Sequence, residues 1–171
     1  MLTSYVTRRT ALAAATAFAL ASSLGGRRTA MAQAQAPELQ SPKAKQVEVL
    51  VNRAAALVAA KGRAALDEFR QRGSEWFNGD IYVFVDDLKG NVILNPASPR
   101  FEGTNVLDLK DKNGKYLQKA LIEVAETQGA GWVDYMWPKP GTDTPVKKWS
   151  YLKRIDLDGT PALLGVGIYL E

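Results

Sequence analysis

Between Ala44 and Arg72 the sequence places apolar side chains at Val47, Leu50, Val51, Ala54, Leu57, Val58, Ala65, Leu66 and Phe69, recurring at intervals of three, four and seven. At 3.6 residues per turn these positions return to a single stripe, so the spacing predicts one long amphipathic helix of about eight turns. Charges fill most of the opposite positions, and Gly62 is the only breaker. Ser41-Pro42 supplies an N-cap followed by proline at the first helical position. A helix with one apolar stripe must bury it, and the remaining chain has to furnish the partner.

That partner reads as a sheet. IYVFVDD (residues 81–87) is rich in β-branched and aromatic residues, and LKGN turns the chain into NVIL, which makes a hairpin. Its nearly continuous apolar character predicts cover on both sheet faces. A loop punctuated by Pro and Gly (NPASPRFEGTN) leads to a second helix over Lys115 to Thr127, with Leu117, Ala120, Leu121, Val124 and Ala125 on its buried side. Three more strands follow, Trp132 to Trp137, Val146 to Arg154 and Pro161 to Tyr169, the last two joined by an Asp-Leu-Asp-Gly turn. The order predicts an α+β domain: a long N-terminal helix on one face of a five-stranded antiparallel sheet. The loop and the short helix between strands 2 and 3 cover the other face.

The first 32 residues read differently. A basic start with Arg8-Arg9, an apolar run from Ala11 to Leu24 and the small residues Ala30-Met31-Ala32 form the pattern of an export signal cleaved after Ala32 or Ala34. The paired arginines and the weakly hydrophobic run fit the twin-arginine route. The alternative, a retained anchor, meets a run well short of the roughly 20 apolar residues a membrane span needs. The expected division is a signal over residues 1–32, a flexible lead-in over 33–42 and one domain over 43–171, placed in the periplasm or outside the cell.

Charge follows the same division. The chain carries 22 Lys+Arg against 18 Asp+Glu, a net +4, and four of those cations (Arg8, Arg9, Arg27, Arg28) sit in the signal. The mature part is balanced at 18 of each, so nucleic acid is not an expected partner. The chain has no Cys and no His, which removes thiolate chemistry, imidazole bases and the usual zinc and haem ligands. No nucleophile stands beside a base at a recognisable spacing. The chain is read as a non-enzyme without a cofactor.

Several strings together carry a family resemblance: GDIYVFVDDLKGNVILNPASPRFEGTNVLDLKDKNGK, then GAGWVDYMWPKPG, KKWSYLKR and GVGIYL. They resemble single Cache domains of the second subtype, PAS-like extracellular sensory modules of chemoreceptors and sensor kinases. The resemblance runs from about Val47 to Glu171. Its most specific part is Gly131-x-x-x-Tyr135-x-Trp137-Pro138-Lys139-Pro140 followed by Lys148-x-x-Tyr151. It implies a small-molecule pocket on the sheet face beneath the central loop, often for a short organic acid, and no catalysis. Many relatives carry His-Pro where this chain has Asn95-Pro96, and most are tethered between membrane spans, whereas this chain reads as an exported, free-standing form.

Alternation along a strand places Val133, Tyr135 and Trp137 on one face of the fourth strand. In the next strand Lys147, Trp149, Tyr151 and Lys153 alternate with Lys148, Ser150, Leu152 and Arg154. The expected pocket wall is Tyr135, Trp137 and Tyr151 with a lysine at its end. Lys148 matches the family's lysine, yet alternation sets it opposite Tyr151, so either a bulge re-aims it or Lys147 or Lys153 supplies the charge. Asn95 and Arg100 are candidate floor and lid contacts, against a turn role for Asn95 and plain loop surface for Arg100. Tyr82 and Trp76 are candidates to close the pocket, although an aromatic at a helix end packing on the sheet explains Trp76 equally well. Trp132 and Trp149 read as core.

The acidic pairs at Asp86-Asp87, Asp108 to Asp111 and Asp156-x-Asp158 lack the spacing of a calcium loop and read as turns, so no metal is expected. The functional expectation is a sensory module binding a small carboxylate and reporting to a separate membrane sensor kinase, chemoreceptor or transporter. A homodimer through the long helix is a further expected contact. The rival is a protein-interaction module that uses its aromatic strands without a small ligand.

Overall fold

A computed structural model of the protein describes residues 37–169. The expected export signal and the start of the lead-in lie outside the described residues. Helix α1 runs from Pro42 to Lys61; Ser41, in extended conformation, caps it by accepting a hydrogen bond from the Ala44 amide at 3.2 Å. Val47, Val51, Ala54 and Val58 of the expected stripe are buried together with Ala44, whereas Leu50 and Leu57 are half-buried at its edge.

The helix is not continuous to Arg72. Gly62 takes a φ of 58°, one 3-10 turn follows, and a short α2 spans Ala65–Phe69. The break has a tertiary cause: the Asp158 carboxylate reaches across to accept from the Arg63 amide at 3.0 Å. A Cβ at position 62 would lie 2.1 Å from that carboxylate, and the positive φ itself favours glycine.

The strands are β1 (Phe77–Asn78), β2 (Ile81–Asp87), β3 (Val92–Leu94), β4 (Ala130–Pro138), β5 (Pro145–Leu157) and β6 (Thr160–Tyr169), with helix α3 (Leu117–Thr127) before β4. The sheet order is β1-β2-β6-β5-β4, β3 also pairs with β2, and every pairing is antiparallel. The expected five strands are present; β1, at two residues, is too short to leave a sequence pattern.

Period-two alternation splits the apolar side chains into two layers. Val83, Val85, Leu164, Val166 and Ile168 pack under α1 and α2. Tyr82, Phe84, Tyr135, Leu152 and Leu163 face α3 and the loop that precedes it. Burying each large aliphatic side chain contributes about 1.5–3 kcal/mol, so both faces are needed. Among the described residues no helix is long and apolar enough to cross a membrane.

Candidate functional site

The second layer contains a cavity, and strand register decides what lines it. On an antiparallel pair directly opposed residues point to the same face, and Tyr135 of β4 is opposed to Lys148 of β5. Lys148 therefore shares the face of Tyr135 and Trp137 without any bulge. β6 makes room for its stem. Gly165 and Gly167 present no side chain to this layer, and a Cβ on Gly167 would lie 2.0 Å from the Lys148 Cε. The alternating glycines of GVGIYL are the sequence trace of this groove.

Lys148 is 1% exposed, and its ammonium donates to the Tyr82 hydroxyl at 2.7 Å. It lies 4.1 Å from the centre of the Tyr82 ring, 5.2 Å from Tyr169, 5.5 Å from Phe84 and 6.0 Å from Tyr135. Ring faces attract a cation. Even so, burial pulls the lysine pKa down to about 7 against the opposing fields of Asp86 and Asp80. No carboxylate among the described residues forms an ion pair with it.

The Tyr135 hydroxyl lies 2.9 Å from the Ser150 Oγ, and burial raises the pKa of both Tyr135 and Tyr82. Toward the far end stands Asp86, also buried, with the Gln118 amide donating at 3.3 Å. Burial pushes its pKa up to about 7, with Asp87 adding to the rise and Gln118 and Lys148 opposing it. The cavity between these groups has a volume of about 30 Å³ and is walled above by Phe101, Leu109, Leu117 and Leu121.

Of the residues singled out in the sequence, Tyr82, Asn95, Tyr135, Trp137 and Lys148 line this cavity. Asn95 also holds its turn, its Oδ1 accepting from the Ser98 amide at 3.0 Å. Trp137 rests on Phe101 at 5.4 Å. Tyr151, expected on the same wall, lies on the opposite face, its ring 5.4 Å from that of Trp132 in the layer under α1. Lys153 also faces α1, donating to Asn52 Oδ1 at 2.8 Å. Trp76 packs edge-on against Phe69 at 5.2 Å, again under the helices. Arg100 stacks over Phe101 at 5.1 Å and borders a surface groove instead of the cavity.

Sequence reasoning missed Asp86, Gln118, Phe84 and Phe101. Asp86 had a legible signal, because Tyr82, Phe84 and Asp86 follow one another at period two in a strand covered on both faces. Three other acidic groups of the strings noted above hold local backbone turns. Asp87 accepts from the amides of Lys89 and Asn91, Asp111 from those of Asn113, Lys115 and Met136, and Asp156 from that of Gly159. Among the described residues no group of three acidic side chains is gathered as a metal site would be.

The roof of the cavity is tied to the helices. Arg70, just past α2, makes a two-pronged ion pair with Glu102, both contacts at 2.8 Å, and Glu102 Oε1 also accepts from the Asn95 amide at 2.8 Å. The loop over the cavity is also hydrogen-bonded to β3, with Val92 N donating to Thr104 O at 3.0 Å and Gly103 N to Val92 O at 2.8 Å.

A long helix on one face of an antiparallel sheet, with a small cavity under the loop on the other, is the architecture of an extracellular sensory fold. The chain belongs to the Cache domain family, whose model matches residues 67–171. It is 32% identical over 95 residues to the methyl-accepting chemotaxis protein McpP of Pseudomonas putida, an alignment covering 56% of this chain and 17% of McpP. Two solved structures are similar. One, a periplasmic sensor domain of a chemotaxis protein, has a TM-score of 0.68 and 32% identity and covers 80% of this chain and 100% of its own. The other, a Cache chemosensory domain solved for its carboxylic acid recognition, has a TM-score of 0.66 and 29% identity and covers 78% of this chain and 97% of its own.

Proposed function

We propose that this chain is the ligand-reading part of a sensory system on the outer side of the cytoplasmic membrane, and that it binds a short carboxylate in the cavity beside Lys148. The carrying observation is the buried ammonium, which has aromatic rings and a tyrosine hydroxyl around it but no carboxylate paired with it. A buried cation without a counter-ion is costly, and an anionic ligand offsets that cost. The cavity of about 30 Å³ holds only a few water-sized positions, which favours acids of two or three carbons. The carboxylic acid recognition described for the similar Cache domain supports the same class.

Occupancy has a physical route to the helices. The cavity-lining Asn95 and Phe101 flank Glu102 in the structure, and Glu102 is held by Arg70 at the end of α2. A ligand that favours one arrangement of this loop shifts the helices by no more than its differential affinity. The readout would be a chemoreceptor, sensor kinase or transporter. Export through the twin-arginine route places the domain there, and cell fractionation with and without that translocase tests it. The rival reading, docking through the aromatic strands, finds Trp132, Trp149 and Tyr151 packed against the α1 layer.

Thermal unfolding against acetate, propionate, pyruvate, dicarboxylates and amines tests the ligand class. An acid at about 100 times its dissociation constant adds about 2.7 kcal/mol, a shift of several degrees. The reading requires Lys148→Met to abolish that shift. A response to amines alone, or to nothing, overturns it.

A further inference from the structure

Helix α1 carries an apolar spot outside its buried stripe. Val49 is 58% exposed, more than any other large apolar side chain among the described residues. A single exposed aliphatic is common, but this one continues into a groove of about 570 Å³ whose apolar lining is Val47, Leu50 and Ile81. The groove lies between the first turns of α1 and the start of β2. Its rim is cationic. Residues one turn apart stack along a helix, so Lys45 and Arg53 bracket Val49 from either side, and Lys43 borders the same groove. Arg53 donates to Glu75 at 2.9 Å. Lys43 and Lys45 have no ion pair among the described residues. The nearest acid on the helix, Glu48, accepts from the Trp132 Nε1 at 2.8 Å instead. The first turn of α1 thus holds lysine and no acidic residue, although the positive end of a helix dipole favours carboxylates. Nothing local to the helix offsets that charge, and carboxylates from outside would.

We propose that this groove docks an acidic segment of the protein to which the domain reports, one that presents an aliphatic or aromatic side chain flanked by carboxylates. The inference rests on the reading that the readout is a separate protein, and it makes no use of the cavity or its ligand. Charge disfavours the other occupants. A second copy related by a two-fold axis at Val49 sets Lys45 against Lys45 when the helices run parallel, and against Arg53 when they run antiparallel. Residues 1–36 of the same chain contain Arg8, Arg9, Arg27 and Arg28 and no acidic residue, so they bring like charge to the same rim. An anionic bilayer pairs with the lysines but is flat, and leaves the Val47 and Ile81 side of the groove uncovered. The position also suits a readout. α1 runs through Gly62 into α2, and Arg70 ties the end of α2 to the roof of the cavity.

The test titrates the full chain, with labelled methyl groups followed by NMR, with short peptides that carry leucine or phenylalanine between pairs of glutamates. Matched peptides carry glutamine or lysine in place of glutamate. The glutamate peptides should shift the Val49, Leu50 and Ile81 methyl signals, bind about tenfold tighter than the glutamine peptides, and weaken as salt rises. Val49→Asp should abolish the shifts. Lys43→Glu combined with Lys45→Glu should reverse the order, so that the lysine peptides bind best. That double variant should melt no lower than the natural protein, because glutamate suits the first turn of a helix, and its changed preference is then not unfolding. Absent methyl shifts, equal shifts with all three peptide sets, or an order unchanged in the double variant overturn the proposal. Self-association in sedimentation that Val49→Asp removes assigns the groove to a second copy and overturns it. Methyl shifts with phosphatidylglycerol vesicles but not with peptides assign it to lipid and overturn it equally. The acid-induced rise in melting midpoint is measured on the same protein, so failure here with that rise intact leaves the carboxylate reading standing.

Discussion

Replacing Lys148 by methionine keeps an unbranched stem in the groove over Gly167 and deletes the charge. Burial lowers the lysine pKa from its ordinary 10.5 to about 7. At about 1.4 kcal/mol per pH unit, the protonated lysine costs the fold on the order of 5 kcal/mol. The unfolded lysine keeps its proton up to about 10.5 and the folded one releases it near 7, so the unfolded state binds more protons in between. Stability therefore rises with pH across that window, and the cost is full below pH 7. Asp86 runs the other way: raised from 3.8 to about 7, it makes the folded state the better proton binder, and its contribution falls as pH climbs between those values.

At pH 6 Asp86 is mostly protonated and Lys148 mostly charged, which isolates the lysine. Allowing about 1 kcal/mol for the Tyr82 hydroxyl that loses its partner, Lys148→Met should be more stable than the natural protein by on the order of 4 kcal/mol at pH 6. The gain should shrink toward pH 10. Urea unfolding followed by tryptophan fluorescence measures both differences. A variant equal to or weaker than the natural protein at pH 6, or a gain independent of pH, refutes the claim that an uncompensated buried charge sits in this cavity. The same reasoning makes the natural protein take up close to one proton when a carboxylate binds at pH 8. Calorimetry in buffers of different ionisation heat reads that uptake.

Gly167→Ala places a methyl group where the Lys148 stem now lies, 2.0 Å from Cε and 2.6 Å from the Ser150 Oγ. It should cost about 1–3 kcal/mol by overpacking and abolish acid binding in a protein that still folds, as thermal unfolding with and without propionate will show. Arg70→Ala removes the half-exposed ion pair to Glu102, so the stability loss should stay within about 1 kcal/mol. Hydrogen exchange at the Asn95 amide should nevertheless accelerate, and unchanged exchange there would remove Arg70 from the route between cavity and helices.

The fold was legible because its signals are local. The Ser41-Pro42 cap, the stripe from Val47 to Phe69 and the β-branched run of β2 each specify their element without reference to the rest of the chain. The break at Gly62 was not legible as a break, because its cause is Asp158, on a turn far along the sequence. The site was half legible for a related reason. Alternation places Tyr135 with Trp137 and Lys148 with Ser150, but which face of β5 meets which face of β4 depends on register, and a shift of one residue exchanges the faces. Tyr135 opposes Lys148, so Tyr151 and Lys153 fall on the helix side. Arg100 adjoins Phe101, but side chains one residue apart in a 3-10 turn diverge, and only Phe101 reaches the cavity. Asp86 was hidden by its neighbour: beside Asp87 it read as part of a turn, although its parity was that of Tyr82.

The place of β6 also bears on biosynthesis. It is the last of the described strands in sequence, yet it lies between β2 and β5, which have no hydrogen bonds to each other. While the chain emerges from the ribosome, β2 can pair with β3 and β4 with β5, but these remain two separate hairpins until residues 160–169 are free to join them. The cavity takes its floor from both halves, Tyr82 and Asp86 from one and Lys148 from the other. It comes into existence only with that last insertion, so a nascent chain lacking its final strand has neither a closed sheet nor a place for a ligand.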